Sequence, residues 1–295
     1  MTDLYDASTL LTLRTGSQVQ AFRSPAGASG ARPKCLLLHG NPGSILNWER
    51  VVPKLAAFAD LVAIDLPGFG RSPRLDSRPA CLHIERFAEE AVAVADACSW
   101  NEPFFIVGHS HGGGVAQVAA AKYPHRIAGI VPVASLGAPA HGGYRLLMRP
   151  GVETMLRVLG AIFRSPLFRP FRRSFLRASL RDVFSPAEVP EDRLDREVAA
   201  LVSRPEILVS MVHAASGKPC DLLEAGAPSI RCPVTWVHGD RDALVPEKYP
   251  RRVHESILAA RGSSAFVVLP DAGHMLLDSH PDDLCQRILA MVIAK

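Results

Sequence analysis

Residues 103 to 124 constrain this chain more than any other stretch, because they prescribe a strand, a sharp turn and a helix in immediate succession. Phe104 to Val107 is a continuous apolar run of strand-favouring residues. Gly108-His109-Ser110-His111-Gly112 follows at once, and then a helical stretch that Pro124 stops. A serine at the apex of so tight a turn needs neighbours without side chains, so that strand and helix can approach closely. Gly108 and Gly112 meet that need and hold Ser110 in the open.

Other strand signals run into polar loops in the same way. Cys35 to Leu38 leads into His39-Gly40-Asn41-Pro42-Gly43, and Val234 to Val237 leads into His238-Gly239-Asp240-Arg241-Asp242-Ala243-Leu244-Val245-Pro246. Ala265 to Leu269 leads into Pro270-Asp271-Ala272-Gly273-His274. Between them, Leu61 to Ile64 and Ile127 to Ala134 read as strands, and Trp48 to Phe58 reads as a helix. His83 to Cys98 is also helical, with Phe87, Ala91, Val94 and Ala95 on one face. A hairpin is expected around Thr15-Gly16-Ser17, with a loop over residues 24 to 33. This alternation predicts an α/β fold, a mostly parallel central sheet flanked by helices. Polar groups beyond the carboxyl ends of such strands converge on one crevice.

The order of these motifs resembles the α/β-hydrolase family, and the turn at Ser110 is similar to its nucleophile elbow. The resemblance implies a catalytic triad in the chain order serine, acid, histidine. It selects Ser110 as nucleophile, Asp242 as the acid with Asp240 in reserve, and His274 as general base. It also implies an oxyanion hole made by the backbone N–H groups of Asn41 and His111. Asp65-Leu66-Pro67-Gly68-Phe69-Gly70-Arg71-Ser72 resembles another family loop, and its glycines and prolines account only for a turn.

Such a site implies a serine esterase: hydrolysis of a carboxylic ester, lactone or thioester through an acyl-enzyme, with a small-molecule acyl substrate. Acyl transfer and C–C bond hydrolysis use the same triad. A non-catalytic hydrolase-like binding module is expected to lose a triad member, and none is missing here. Gly-His-Ser-His-Gly also resembles the elbow of some bacterial lipases. The loop at residues 39 to 43 is similar to that of haloalkane dehalogenases. Those enzymes and epoxide hydrolases use an aspartate nucleophile, where this chain has Ser110. His111 stands where the dehalogenases usually carry tryptophan, and epoxide hydrolases need cap tyrosines, of which residues 139 to 219 offer only Tyr144.

From residue 139 to 219 the alternation stops. A helix-rich segment of that length is far beyond an ordinary loop, and the resemblance implies a helical cap domain over a core made of residues 1–138 and 220–295. Val152, Met155, Leu156, Leu159, Ile162 and Phe163 predict one helical face. A second helix is expected from Pro170, and a third from Ser185, where Ser185-Pro186-Ala187-Glu188 reads as a capping box. Residues 139 to 184 carry nine arginines against Glu153 and Asp182, a balance of +7 in a chain of net charge +4. Arg169, Arg173, Arg177 and Arg181 recur every four residues opposite Phe171, Phe175 and Leu176. This stripe is either a solvated face or a contact for an anionic membrane, partner or substrate. No nucleic-acid motif accompanies it.

With 48% apolar and 21% charged residues over 295 positions, the chain can bury a sizeable core. The N-terminus carries acids where a secretory signal needs bases, and no apolar run reaches the roughly 18 residues of a membrane span. A cytoplasmic location is expected. The six cysteines lack C-x-x-C spacing and fall in apolar contexts, which predicts buried thiols rather than disulfides or a metal site. Neither a Gly-x-Gly-x-x-Gly nor a Walker loop is present, so no cofactor is expected.

Overall fold

Eight strands form one sheet in this computed structural model, which describes residues 4–25 and 32–293. The first residues of the N-terminus and most of the loop expected at 24 to 33 lie outside the described residues. The strands are β1 (Ser8–Thr12), β2 (Gln18–Arg23), β3 (Lys34–Leu38), β4 (Asp60–Ile64), β5 (Phe104–His109), β6 (Ile127–Val133), β7 (Val234–Gly239) and β8 (Ser264–Leu269). Their order is β1-β2-β4-β3-β5-β6-β7-β8. The hairpin β1–β2 is antiparallel and joins β4 antiparallel, whereas every pair from β4 to β8 is parallel. The α/β expectation holds, and β5, the strand that leads into Ser110, lies in the interior of the sheet.

The helices are α1 (Val52–Leu55), α2 (Ile84–Ala97), α3 (His111–Lys122), α4 (Gly142–Leu147), α5 (Val152–Arg164), α6 (Arg172–Phe184), α7 (Glu191–Ser203), α8 (Ile207–Ser216), α9 (Pro219–Gly226), α10 (Lys248–Ala259), α11 (Leu276–Ser279) and α12 (Pro281–Ile293). Successive strand side chains point to opposite faces, so one strand feeds two cores. Leu36 and Leu38 pack with Phe87 of α2 and Val115 of α3, while Cys35 and Leu37 pack with Leu284 and Ile288 of α12. Fully buried apolar strands explain why β3 and β5 read as continuous runs rather than alternating ones. All six cysteines are buried and unbridged, and burial pushes the Cys35 thiol up to about 12.

Three expectations need correction. The helix expected over Trp48 to Phe58 is a 3-10 turn, Ile45–Trp48, followed by the single turn of α1. The capping box sits at the start of that turn, with Ser44 and Asn47 as its reciprocal pair, not at Ser185. Ser185 ends α6, and α7 starts only at Glu191, because the residue before Pro190 is pushed out of the helical region. The face expected on α5 buries Phe163 but leaves Met155 and Ile162 exposed.

Between β6 and α9 the chain is helical. Leu176, Phe184, Val189 and Leu194 of this segment make a small separate core with Met275, the residue after His274. Three arginines tie the segment to the loops of the main core. Arg193 donates to the Leu46 carbonyl at 3.1 Å, Arg204 to those of Gly70 and Ser72, and Arg196 pairs with Glu49 at 2.8 Å. The basic stripe of α6 is partly used internally: Arg173 pairs with Glu191 and Asp195, and Arg177 with Glu191. Among the described residues no single helix is long and apolar enough to cross a membrane.

Candidate active site

Ser110 caps the N-terminus of α3 with φ 51° and ψ −114°, a left-handed conformation that a serine adopts only under local constraint. The constraint is visible on both sides. A Cβ on Gly112 would collide with the Leu38 carbonyl, and one on Gly108 with the Gly112 carbonyl. The Ser110 carbonyl accepts from the N–H groups of Gly113 at 3.0 Å and of Leu136 at 3.2 Å, which locks the turn into α3 and the chain after β6.

Asp242 and His274 meet beyond the ends of β7 and β8. His274 Nδ1 donates to Asp242 Oδ2 at 2.8 Å, and both residues are buried. The other carboxylate oxygen accepts from the backbone N–H groups of Leu244 at 3.0 Å and Val245 at 2.8 Å. Burial works against the Asp242 charge, but His274, His238 and these hydrogen bonds outweigh it and hold the carboxyl below its usual range. An ionised Asp242 accepts only, so the His274 proton sits on Nδ1 and Nε2 is free to act as a base. Asp240 is exposed and makes no such contact with His274.

His109 joins the two halves. Its Nε2–H donates to the His274 carbonyl at 3.0 Å, and the two rings lie 4.9 Å apart, so the residue before Ser110 sits against the loop of His274. Burial pushes the His109 imidazole down to about 3, so it is neutral.

The loop at residues 39 to 43 is held from behind. His39 Nε2 accepts from the Leu66 N–H at 2.9 Å, which puts its proton on Nδ1 for donation to the Gly40 carbonyl at 2.7 Å. Burial lowers His39 to about 4 and keeps that tautomer neutral. Asp65 accepts from the Tyr5 hydroxyl and from the N–H groups of Ile45 and Arg71. The loop at 65 to 72, with no expected catalytic role, thus buttresses the one at 39 to 43. An ideal Cβ on Gly40 would stand 3.2 Å from Ser110 Cβ, so the glycine brings this loop onto the serine. The backbone N–H groups of Asn41 and His111 donate to none of the described residues.

Two side chains carry more than the motif suggested. Asn41 Nδ2 donates to the Met211 carbonyl at 3.1 Å and, more weakly, to the Tyr144 hydroxyl at 3.4 Å. His111 Nδ1 lies 2.7 Å from that same hydroxyl, and its ring packs edge-on to Phe87. Tyr144 of α4 therefore bridges the side chains of both residues expected to supply oxyanion donors. Burial raises its phenol and lowers His111 to about 3, so both are neutral. A lone tyrosine in a helical segment carries no sequence signal for this position. Among the described residues no group of histidine, cysteine and carboxylate side chains is arranged to hold a metal ion.

The family model for the alpha/beta hydrolase fold matches residues 36–281. The chain belongs to that family. Among its relatives are pimeloyl-[acyl-carrier protein] methyl ester esterases. The Sodalis glossinidius protein is 31% identical over 86% of this chain and 91% of its own length. The Citrobacter koseri protein is 29% identical over 87% of this chain and 92% of its own length. A solved alpha/beta hydrolase fold protein from Burkholderia ambifaria superposes with a TM-score of 0.77 at 18% identity, covering 97% of this chain and 98% of that one. That likeness concerns the fold alone. Every site residue named above except Tyr5 lies inside the matched span.

Proposed function

We propose that this alpha/beta hydrolase is a serine esterase that cleaves a carboxylic ester through an acyl-enzyme. The observation that carries the reading is the Asp242–His274 hydrogen bond, together with the strained turn at Ser110, whose preceding residue His109 donates to the His274 carbonyl. The named activity of the relatives, on a methyl ester, supports ester over lactone or thioester as the substrate class.

In this mechanism Ser110 Oγ attacks the acyl carbon while His274 Nε2 takes its proton. Asp242 holds the imidazole in the tautomer that leaves Nε2 free and stabilises the imidazolium that forms. The oxyanion gathers the Asn41 and His111 N–H groups. His274 then protonates the departing alkoxide and next activates a water that attacks the acyl carbon, releasing the acid and restoring Ser110. Residues 139 to 219 act as the cap. Gly273 has no room for a Cβ because the Ser185 carbonyl stands against it, so the cap bears directly on the loop of the base.

The test is labelling by a fluorophosphonate, read by intact mass, beside turnover of p-nitrophenyl esters of increasing chain length. Wild type should take one adduct and Ser110→Ala none, and Asp242→Asn should lose about 10⁴-fold in kcat through the wrong tautomer. A folded wild type that takes no adduct and hydrolyses none of the esters would remove the esterase reading.

A further inference from the structure

Eight of the thirteen large apolar side chains exposed among the described residues fall between Leu146 and Phe175, in about a tenth of the chain. Met155, Val158 and Ile162 recur at helical spacing along the outward face of α5. Across the turn into α6 the face continues through Leu167, Phe171 and Phe175, which are 88%, 62% and 40% exposed. The Phe163, Phe168 and Phe175 rings pack together at 5.5 to 6.0 Å, so the buried part of this cluster braces the exposed part. Exposed apolar residues scattered singly need no explanation, but a concentration of this kind marks a contact surface.

Charge identifies what the surface contacts. Arg164 and Arg169 flank Leu167 and are exposed; Arg164 stands 4.0 Å from Glu206, and Arg169 has no ionic partner among the described residues. A second copy of the chain is a poor occupant, because it would set one strongly positive segment against another. Leu167 projects with nearly its whole surface free, as a side chain that enters a lipid interface does. Projecting apolar residues ringed by arginines match the interface of an anionic bilayer, where apolar side chains enter the headgroup boundary and guanidinium groups meet phosphates.

We propose that the α5–α6 face docks this protein on an anionic lipid surface, with Leu167 and Phe171 inserted and Arg164 and Arg169 on the headgroups. Arg173 and Arg177, engaged with Glu191 and Asp195, brace α6 against α7 rather than bind lipid.

The experiment is co-sedimentation of the full chain with vesicles of phosphatidylcholine plus phosphatidylglycerol, against phosphatidylcholine alone. Wild type should bind the mixed vesicles, less so as salt rises, and bind the neutral ones weakly. Leu167→Ser with Phe171→Ser should cut the bound fraction about ten-fold or more while leaving turnover of a soluble ester unchanged, which also reports folding. Arg164→Glu with Arg169→Glu should abolish the preference for the anionic vesicles. Failure of wild type to sediment with either vesicle overturns the proposal, as does binding that both double variants leave intact. Retention on polyglutamate without vesicle binding overturns it in favour of an acidic protein partner.

Discussion

The sheet and the helical segment between β6 and α9 are built by different means. In the sheet, Leu36, Leu37, Leu38, Ile106 and Val107 are fully buried, and the loops beyond the strands are closed by backbone hydrogen bonds and neutral imidazoles. Within the segment, α4 and α8 join the main core through Tyr144, Ile207, Ala214 and Ala215, whereas α6 and α7 have a small core of their own, and Arg193, Arg196 and Arg204 fasten this part to the main core. Apolar packing in a dry interior penalises any change of volume or geometry. Ionic arms reaching across a partly wet boundary tolerate change, since each contact exchanges solvation for a similar interaction. The rigid part holds Ser110, Asp242 and His274, and the adaptable part touches the loop of His274 through the Met275 side chain and the Ser185 carbonyl.

The largest expected effect comes from glycines on each side of that boundary. Gly112→Ala should destabilise the fold by about 3 kcal/mol or more and remove activity, because the methyl group meets the Leu38 backbone. At Gly160 of α5 an added methyl group meets the side chain of Pro205 at 2.9 Å, and Gly160→Ala should cost about 1 kcal/mol or less once α5 shifts. Urea denaturation of both variants checks the contrast. Equal losses would break it.

Acid should act next, and on the core side. His39, His109 and His111 are pushed below the usual 6.5 by burial, to about 4, 3 and 3. Unfolded, these imidazoles take up protons first as the pH falls. Their contribution is therefore complete above about pH 6.5 and lost as pH descends toward 4, at about 1.4 kcal/mol per pH unit for each. Unfolding midpoints in urea at about pH 7.5 and about pH 5 should differ by several kcal/mol in stability. A flat profile would show that these rings are solvated.

The smallest effect belongs to the segment's surface. Arg177→Ala removes an exposed ion pair with Glu191, and the change in stability should stay within about 1 kcal/mol. A larger loss in the unfolding midpoint would mean that the α6–α7 contact is structural rather than peripheral, and would sharpen the division between the two regions.

The half of the molecule that holds Ser110, Asp242 and His274 was legible because its tight turns depend on short-range constraints. Gly108, Gly112 and Gly40 are required where backbones touch, and such requirements are written in the chain as residue types at fixed spacing. The choice of Asp242 over Asp240 came from a family motif, and the structure brings Asp242 to His274 while Asp240 faces outward. The segment was less legible. Three of its helices were expected, α4 and α8 were not, and the start of α7 was placed at Ser185, since two prolines four apart permit either boundary until packing of Val189 chooses one. The outward turn of Met155 and Ile162 was hidden for a related reason: an apolar stripe announces a contact without saying whether the contact lies inside the same chain.

By itself, then, the sequence determined the alternating α/β order, the elbow at Ser110 and the small set of polar residues beyond the strand ends. These follow from local sterics and from the periods of strand and helix. Only the tertiary structure decided that His39 and Asp65 support the loop at 39 to 43, that Tyr144 spans Asn41 and His111, and that Arg173 and Arg177 are spent on α7. Each of these is a contact between residues distant in the chain. Hydrogen bonds and ion pairs leave no periodic trace, because a single polar side chain meets its partner through the fold and not through its neighbours in sequence.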